Sequence, residues 1–395
     1  MSKIKIKRIF VGQYEPMETV SRFLHDDIEY ISHEPPIGGE PFWYEVATYG
    51  TDVKNFWDYN ADGNITASML PYLKLGQAKL AICYMREFPF GHDSWVQMQS
   101  RIGLDAVKKH NISPRQIYYF YGNPCEHLQN VVDAGVGAVN IPYFELDFVH
   151  RVEQKEIEYV RDYQLGNPSR TFLDMNGKPH KFMRLRHVVH LWNKKLIDHG
   201  IINLYRTQED MRVWSADKYY RLVRDIISED DWLRFWRWWP HTWEKIDETK
   251  NRSLYGKHHS GYPYDVNLFK DTFMSLVSET HSGDASCNDQ FFLSEKLVKA
   301  IGNAHPFVVL STPNYLKQLK DYGYQTFSPW FDESYDTEED AELRMVKAID
   351  TMEQICKDGV SVQALGIAQM NQKMLFSRAR TVRDAIKKIM TETDE

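Results

Sequence analysis

Short apolar segments of strand length alternate with helical patterns along the whole chain, and this alternation constrains the fold most. The predicted N-terminal strands are Ile4–Val11, Ala78–Tyr84, Gln116–Tyr121 and Gly137–Pro142. The predicted C-terminal strands are Lys181–Leu185, Phe273–Glu279 and Pro306–Leu310. Helices are predicted between them, among others from Asp93 or Ser94 to about Asn111, over Arg186–His199, from Ser294 onward and over Asn314–Tyr322. Such alternation favours α/β units with parallel sheets covered by helices.

The length of the chain predicts more than one domain. It has 395 residues, and a domain usually takes ~100–200. A polar stretch over 152–179 contains two clusters of helix- and strand-breaking residues, Gly166-Asn167-Pro168 and Asn176–Pro179. We therefore predict an N-terminal domain at 1–165, a C-terminal domain at 175–360 and a helical tail at 361–395.

The net charge and the cysteines indicate which classes of partner and which cellular compartment to expect. The net charge of −7 argues against a protein that wraps nucleic acid, although a local basic cleft stays open. The four cysteines form no CxxC pair, which argues against a zinc site or a disulfide framework and favours a reducing cytoplasm. No apolar run reaches the ~18–20 residues of a membrane helix, so no membrane span is expected. The acidic stretch Asp332–Asp340 lacks EF-hand spacing and predicts a solvated loop and a helix start.

Five tryptophans crowd the segment Asp230–Trp243, which is helical in pattern up to Pro240. Packing between secondary-structure elements is the more common role of such residues. A platform that stacks glycans or bases is the alternative.

Several familiar catalytic motifs are missing from the sequence. It contains no GxxxxGK[ST] loop, no GxGxxG fingerprint, no HExxH, no GxSxG and no DxD pair. Any phosphate bound here must therefore be neutralised by cations and backbone N–H groups. Glu279 ends a predicted strand, and Glu295 and Lys296 open the next helix. Strand ends and helix starts line the same crevice of an α/β sheet, although a first-turn glutamate also commonly just complements the helix dipole.

A motif around that helix resembles the nucleotide-sugar motif of α1,3-fucosyltransferase-like glycosyltransferases. The matching positions are Glu279, Thr280, Phe292, Ser294, Glu295, Lys296, Leu297, Ala300, Pro306 and Val308. The segment Phe327–Asp336 also resembles a pattern in phage-encoded glycosyltransferase-like proteins. The specific likeness covers about 60 residues.

The resemblance implies a GT-B fold, in which two Rossmann-like domains face a central cleft and the C-terminal domain holds the donor. Glu279, Ser294, Glu295 and Lys296 would be donor-binding residues. Glu295 would bind ribose or sugar hydroxyls, and Lys296 would bind the diphosphate. No metal and no cofactor other than the nucleotide-sugar substrate is expected.

A weaker likeness covers Lys181–His190, which resembles the turn where such enzymes place a phosphate clamp. Arg186 and His190 share a helix face at i, i+4. A guanidinium there could hold a phosphate through two hydrogen bonds. A solvated basic helix with a core histidine is the alternative.

The acceptor side is expected in the N-terminal domain, after the Ala78–Tyr84 strand. An inverting transfer needs a general base for the acceptor hydroxyl. Glu87 is the favoured candidate because Phe88 and Phe90 flank it, and apolar surroundings raise a carboxyl pKa. Asp93 is a second catalytic candidate and also a plausible helix cap. A surface position without catalytic role is the alternative for Glu87.

These observations lead to one main functional hypothesis and one competitor. The main hypothesis is a metal-independent, inverting glycosyltransferase that acts in the cytoplasm, or in the host cytoplasm if a phage encodes it. Its acceptor would be a hydroxylated base in DNA, or a glycan or other small hydroxylated molecule. The competitor is a non-catalytic protein with the same fold that binds carbohydrate or a host factor. A kinase or NTPase is disfavoured by the missing phosphate loop.

Overall fold

The computed structural model describes most of the chain. The described residues are 3–11, 19–48, 65–84, 93–122, 127–161, 168–177, 182–204, 215–239, 265–279 and 291–392. The chain divides into two compact units, one of Met1–Asp147 with Arg378–Glu395 and one of Phe148–Ser377. The boundaries expected from the sequence, at 165, 175 and 360, therefore all lie inside the second unit.

Parallel strands form the frame of both units, as the α/β pattern predicts. The strands are β1 (Ile4–Val11), β2 (Ile28–Tyr30), β3 (Phe42–Thr48), β4 (Ala78–Tyr84), β5 (Ile117–Tyr121), β6 (Gly137–Asn140), β7 (Arg170–Gly177), β8 (Gly200–Leu204), β9 (Thr272–Ser278) and β10 (Phe307–Leu310). The first unit holds a six-stranded sheet in the order β2-β1-β3-β4-β5-β6. The second holds a four-stranded sheet in the order β10-β9-β7-β8. Every neighbouring pair in both sheets is parallel.

Twelve α-helices accompany these strands in the described part of the chain. They are α1 (Ile65–Lys74), α2 (Asp93–His110), α3 (His127–Asp133), α4 (Tyr143–Glu153), α5 (Phe182–Asn193), α6 (Ala216–Tyr220), α7 (Glu229–Trp238), α8 (Val266–Lys270), α9 (Glu295–Gly302), α10 (Tyr315–Asp321), α11 (Ala341–Asp358) and α12 (Val362–Thr391). None of these described helices is long and apolar enough to cross a membrane.

The first unit is built around the central strands of its sheet. Tyr44, Leu80 and Ile82 are completely buried there and belong to one apolar cluster. The last helix returns to this sheet, since the indole N–H of Trp43 donates to the carbonyl of Met390 at 3.1 Å. Residues 378–395 of the predicted C-terminal tail thus belong to the first unit, and residues 361–377 belong to the second.

The second sheet differs from the sequence prediction in two elements. The polar stretch expected to mark a domain boundary contains β7, which lies between β8 and β9. The segment Lys181–Leu185, predicted as a strand, is instead the start of helix α5 from Phe182 onward. The helix is favoured because Leu185, Val188 and Val189 are all buried and follow helical spacing.

The elements between β9 and α10 match the prediction closely. Strand β9 ends at Ser278, and α9 begins at Glu295 after the N-cap Ser294. The Oγ of Ser294 accepts a hydrogen bond from the Lys296 backbone N–H at 3.1 Å, the usual role of a serine cap. The predicted buried residues of this helix, Leu297, Val298 and Ile301, are at most 1% exposed.

Acidic side chains of Asp332–Asp340 cap backbone groups, so the stretch is more than a solvated loop. Asp340 is the N-cap of α11 and accepts from the Leu343 N–H at 2.8 Å, which fits the predicted helix start. Asp336 is 7% exposed and accepts from the N–H groups of Leu316 at 2.8 Å and Lys317 at 3.2 Å. Asp336 thereby satisfies the first turn of α10.

We expect Asp336→Ala to lower the free energy of unfolding by about 1–2 kcal/mol, because one buried and one partly buried N–H group lose their acceptor. Asp336→Asn keeps one acceptor oxygen and should lose about half as much. Urea denaturation measures both. The control is Glu339→Ala, which removes an exposed acid of the same stretch and should change stability by no more than about 0.5 kcal/mol; equal effects at the two positions would contradict the capping role.

The described tryptophans of the Asp230–Trp243 segment pack against other aromatic rings of the second unit, as the favoured packing interpretation predicts. Trp232 and Trp239 are at most 2% exposed, and the indole N–H of Trp239 donates to the Leu204 carbonyl at 2.8 Å. Trp232 and Phe235 stack with ring centroids 5.5 Å apart. Trp243 lies outside the described residues.

Candidate functional site

The strand order of the second sheet creates a switch point between β7 and β9. The chain moves from β7 outward to β8, and β9 then returns to the other side of β7. The connections that leave β7 and β9 therefore diverge, which is where open α/β sheets bind ligands at the carboxyl ends of their strands. Residues 178–181 and 280–290 of these two connections lie outside the described residues.

Glu279 lies at this point, directly after β9. Its backbone N–H extends the ladder by donating to the Leu310 carbonyl at 2.9 Å. The side chain is 2% exposed, and its Oε1 accepts a long hydrogen bond of 3.5 Å from the Tyr315 hydroxyl. Its Oε2 is buried and accepts no hydrogen bond from the described residues. Burial raises the pKa of Glu279 to about 7, against the opposing charge of Lys296.

Three other predicted donor-binding residues gather beside Glu279. Ser294 approaches its carboxyl group and favours the charged form. Lys296 is only 4% exposed and donates to the Oε1 of Glu295 at 2.8 Å. Burial acts to raise the pKa of Glu295, but the charges of Lys296 and Lys299 outweigh it and hold that pKa below its usual value. The structure thus brings Glu279, Ser294, Glu295 and Lys296 together, and the pair Glu295–Lys296 does not extend into bulk solvent.

Arg186 and His190 belong to a second cluster. The Arg186 guanidinium makes two hydrogen bonds of 2.8 and 2.7 Å to the Asp225 carboxylate and two of 2.7 and 2.8 Å to Glu342. It also donates to the Leu222 carbonyl at 2.9 Å, and the ring of His190 contacts Glu342 at 2.8 Å. The guanidinium is occupied by carboxylates in this structure, and its contacts hold α5 against the first turn of α11. Phosphate binding by Arg186 and His190 stays a prediction.

The predicted acceptor-side residues lie outside the described side chains. Glu87 falls in the gap between β4 and α2. Asp93 is the first residue of α2, as a helix start predicts, but its side chain is not described. Their catalytic roles stay predictions.

Polar groups that the sequence analysis did not single out line the carboxyl edge of the same sheet. Buried oxygens without a hydrogen-bond partner among the described residues lie on Asp174, Asn176, Ser278 and Thr312, in addition to Glu279. Asp174 also contacts the ring of His187 at 2.8 Å through its other oxygen. Buried polar atoms in proteins are nearly always paired, so this concentration makes the edge a candidate ligand site. Asn176-Gly177 indicated only a turn, and the other positions carried no recognisable signal.

A small pocket opens at this edge beside β9 and β10. Its lining residues are Met183, Ser278, Leu310, Ser311, Ala341, Arg344 and Met345. Arg344 is 5% exposed and donates from Nε to the Ser311 carbonyl at 2.8 Å. The pocket therefore combines a hydroxyl, a guanidinium and the start of α11.

Among the described residues, no group of three or more His, Cys, Asp and Glu side chains is placed to hold a metal ion. Comparison with known proteins adds no family to this description, because no family model, no curated protein and no solved structure matches the chain.

Proposed function

We propose that the chain is a glycosyltransferase of the GT-B type that transfers a sugar from a nucleotide-diphosphate donor to a hydroxyl acceptor. Two α/β units with parallel sheets are compatible with that architecture. The observation that carries the proposal is the cluster of Glu279, Ser294, Glu295 and Lys296 at the switch point of the second sheet. A cation for phosphate and a carboxylate oxygen without a partner for a hydroxyl lie there within one site.

The chemistry of the donor fits these two groups. Lys296 would hold the diphosphate and offset the negative charge that develops on it as the bond to the sugar breaks. The Oε2 of Glu279 would accept a hydrogen bond from a ribose or sugar hydroxyl. The resemblance assigns that hydroxyl contact to Glu295, but Glu295 is already bonded to Lys296. Glu279, whose Oε2 accepts no hydrogen bond from the described residues, therefore offers a second acceptor for that hydroxyl.

The acceptor hydroxyl would attack the anomeric carbon, and the bond from that carbon to the diphosphate oxygen would break. The acceptor proton would pass to a base, for which Glu87 and Asp93 are the candidates. The acceptor would be a hydroxylated DNA base, a glycan or a small hydroxylated molecule, and the reaction would take place in the cytoplasm without a metal ion.

A panel of nucleotide sugars tests the proposal. The protein is incubated with GDP-, UDP- and CMP-linked sugars in the presence of EDTA, and the released nucleotide is measured. We expect release from one diphosphate donor above the rate of the protein-free control. No release from any donor, with thermal stabilisation by free glycans alone, would contradict the proposal and favour the non-catalytic binder.

A further inference from the structure

The first sheet has a switch point of its own, between β1 and β3. The chain moves from β1 outward to β2, and β3 then returns to the other side of β1. Open α/β sheets bind ligands near the carboxyl ends of the two strands at such a point. Arg8 of β1 and Glu45 of β3 are direct partners in the ladder, each three residues before the end of its strand. The switch point therefore carries a charged pair, where a parallel sheet usually carries apolar residues.

Tyr30 joins this pair from the neighbouring edge strand. It is the ladder partner of Ile6, two residues before Arg8, so the side chains of Tyr30, Arg8 and Glu45 lie on one face of the sheet. The ladder between β1 and β2 ends at Ile6 and Tyr30. The Arg8 side chain is 24% exposed and Tyr30 is 47% exposed, so a ligand can reach both.

Buried groups hold the Arg8 guanidinium in place. Its Nε donates to Glu45 at 3.4 Å, and its Nη2 donates to the hydroxyls of Thr19 at 3.0 Å, Ser21 at 3.1 Å and Tyr30. Glu45 is completely buried and accepts from the Ser21 backbone N–H at 2.7 Å. Burial raises the pKa of Glu45, and the contacts with Ser21 and Arg8 act against this rise. The guanidinium is therefore oriented before any ligand arrives.

The remaining nitrogen of Arg8 and the ring of Tyr30 face a ligand together. None of the described residues accepts a hydrogen bond from the Nη1 of Arg8. The guanidinium lies over one face of the Tyr30 ring, with its Cζ 3.9 Å from the ring centroid, and the ring is still half exposed. An exposed aromatic surface beside unused N–H donors suits a molecule that offers both apolar C–H groups and acceptor oxygens. A sugar ring has both.

The charges around this site argue against an anionic ligand. Nucleic-acid binding uses lysines and arginines that replace the counterions of phosphate groups. Four basic side chains of β1 and of the 3-10 helix Val20–Asp27 are instead paired with acids of the protein. The pairs are Lys5–Glu40, Lys7–Glu34 at 2.7 Å, Arg8–Glu45 at 3.4 Å and Arg22–Asp147 at 2.9 Å. The site is therefore better suited to a neutral hydroxylated molecule than to a DNA backbone.

We propose that the first unit binds a neutral saccharide at this switch point, with the sugar ring against Tyr30 and a sugar oxygen accepting from the Nη1 of Arg8. Glu45, buried behind the guanidinium, orients it without contacting the sugar. The inference deepens the proposed function and rests on it in one respect, that the bound saccharide is the acceptor. It narrows the acceptor to a glycan or a small sugar and excludes a DNA base.

Saturation-transfer NMR of the intact chain with methyl glycosides tests the site. The probes are the neutral methyl glycosides of glucose, galactose and mannose, the charged methyl glucuronide and a short DNA duplex. We expect at least one neutral glycoside to bind the wild type. Tyr30→Leu should weaken this binding about tenfold, because the aromatic ring is lost. Arg8→Lys keeps a positive charge opposite Glu45 but removes the Nη1 donors, and should also weaken binding about tenfold.

Arg115→Lys is the matched control. Arg115 is exposed and precedes β5, at the amino end of a strand in the same sheet, so this variant should keep the wild-type affinity. Circular dichroism shows whether each variant is folded. Unchanged affinity of either Tyr30→Leu or Arg8→Lys, or no binding of any neutral glycoside to the wild type, would overturn the inference. Binding of the glucuronide or the DNA duplex alone would overturn it as well.

The inference and the proposed function fail in different ways. Glycoside binding that needs Arg8 and Tyr30, without nucleotide release from any donor, would uphold the saccharide site and reject the transferase. Nucleotide release that a sugar acceptor stimulates equally in the wild type and in both variants would keep the transferase and overturn the saccharide site.

Discussion

Glu279→Gln is expected to stabilise the unliganded protein by about 2–3 kcal/mol at pH 8. Burial raises the pKa of Glu279 to about 7, whereas an unfolded chain has the ordinary value of 4.5. Above pH 7 the folded protein must therefore keep a buried carboxylate charged. The difference between the two pKa values corresponds to about 3 kcal/mol, and a neutral amide of the same shape avoids most of this cost.

The sign of the pH dependence follows from the same two values. A group whose pKa is raised on folding adds stability below its unfolded pKa and loses it as the pH rises through the folded pKa. The Glu279 contribution is thus complete below about pH 4.5 and is lost between pH 4.5 and about pH 7. The gain from Glu279→Gln should be largest above pH 7 and should vanish near pH 4. Urea denaturation of both proteins from pH 4 to pH 8 measures it.

Glu295→Gln provides the matched control, because Glu295 is the other acid of the same cluster. Its pKa is held below the usual value by Lys296 and Lys299, so its replacement should destabilise the protein at pH 8. Stabilisation by both variants, or by neither, would contradict the assigned electrostatics. Glu279→Gln should also bind the nucleotide-sugar donor more weakly, because the carboxylate that accepts the hydroxyl is lost. A more stable protein with a weaker site is the expected signature of a group kept for binding.

The sequence predicted those parts of the site whose signals lie within a few neighbouring residues. The helix start at Ser294 and the ends of β9 and β10 follow from caps and apolar patterns within a few residues, and all three are confirmed. Those elements bring Glu279 and Lys296 together, although they are 17 positions apart in the sequence. The sequence could not show that Glu279 keeps an oxygen without a partner, because this depends on packing of α9 and α10 around it.

The predictions that were wrong or incomplete concern residues whose roles depend on contacts far away in the sequence. Strand β7 escaped prediction because Asp174 and Asn176 occupy buried positions where a central strand usually carries apolar residues. Arg186 was interpreted from its spacing to His190, yet its carboxylate partners Asp225 and Glu342 lie 39 and 156 positions away. Neither partner can be identified without the fold. The sequence suggests that the Arg186 guanidinium is available for a ligand, whereas in the structure it is bonded to these carboxylates and joins α5 to α11.

Lys296→Met is expected to weaken binding of the nucleotide-diphosphate donor by about 100-fold. The lysine is 4% exposed, so its charge acts on a bound diphosphate with little screening by water. A charge-assisted contact of this kind contributes about 2–3 kcal/mol, which corresponds to about 100-fold in affinity. Without the lysine, the diphosphate would also face the carboxylates of Glu279 and Glu295 alone.

Lys299→Met is the control, since Lys299 lies one turn further along α9 and also carries its charge near Glu295. It should change donor affinity by less than about threefold, as expected for a charge outside direct contact. Lys296→Arg keeps the charge and should retain part of the affinity. Titration calorimetry with the donor compares the three variants with wild type, and circular dichroism shows whether each variant is folded.

A second measurement separates the electrostatic role of Lys296 from its role in binding. Lys296 lowers the pKa of Glu279 against the effect of burial, so Lys296→Met should move that pKa further above 7. Carbon-13 NMR of the Glu279 carboxyl group follows this titration without any ligand. A raised Glu279 pKa with unchanged donor affinity would show that Lys296 interacts with Glu279 but does not bind the donor. An unchanged pKa would show that Lys296 and Glu279 do not interact, and the site as described here would then be wrong, whatever the protein binds.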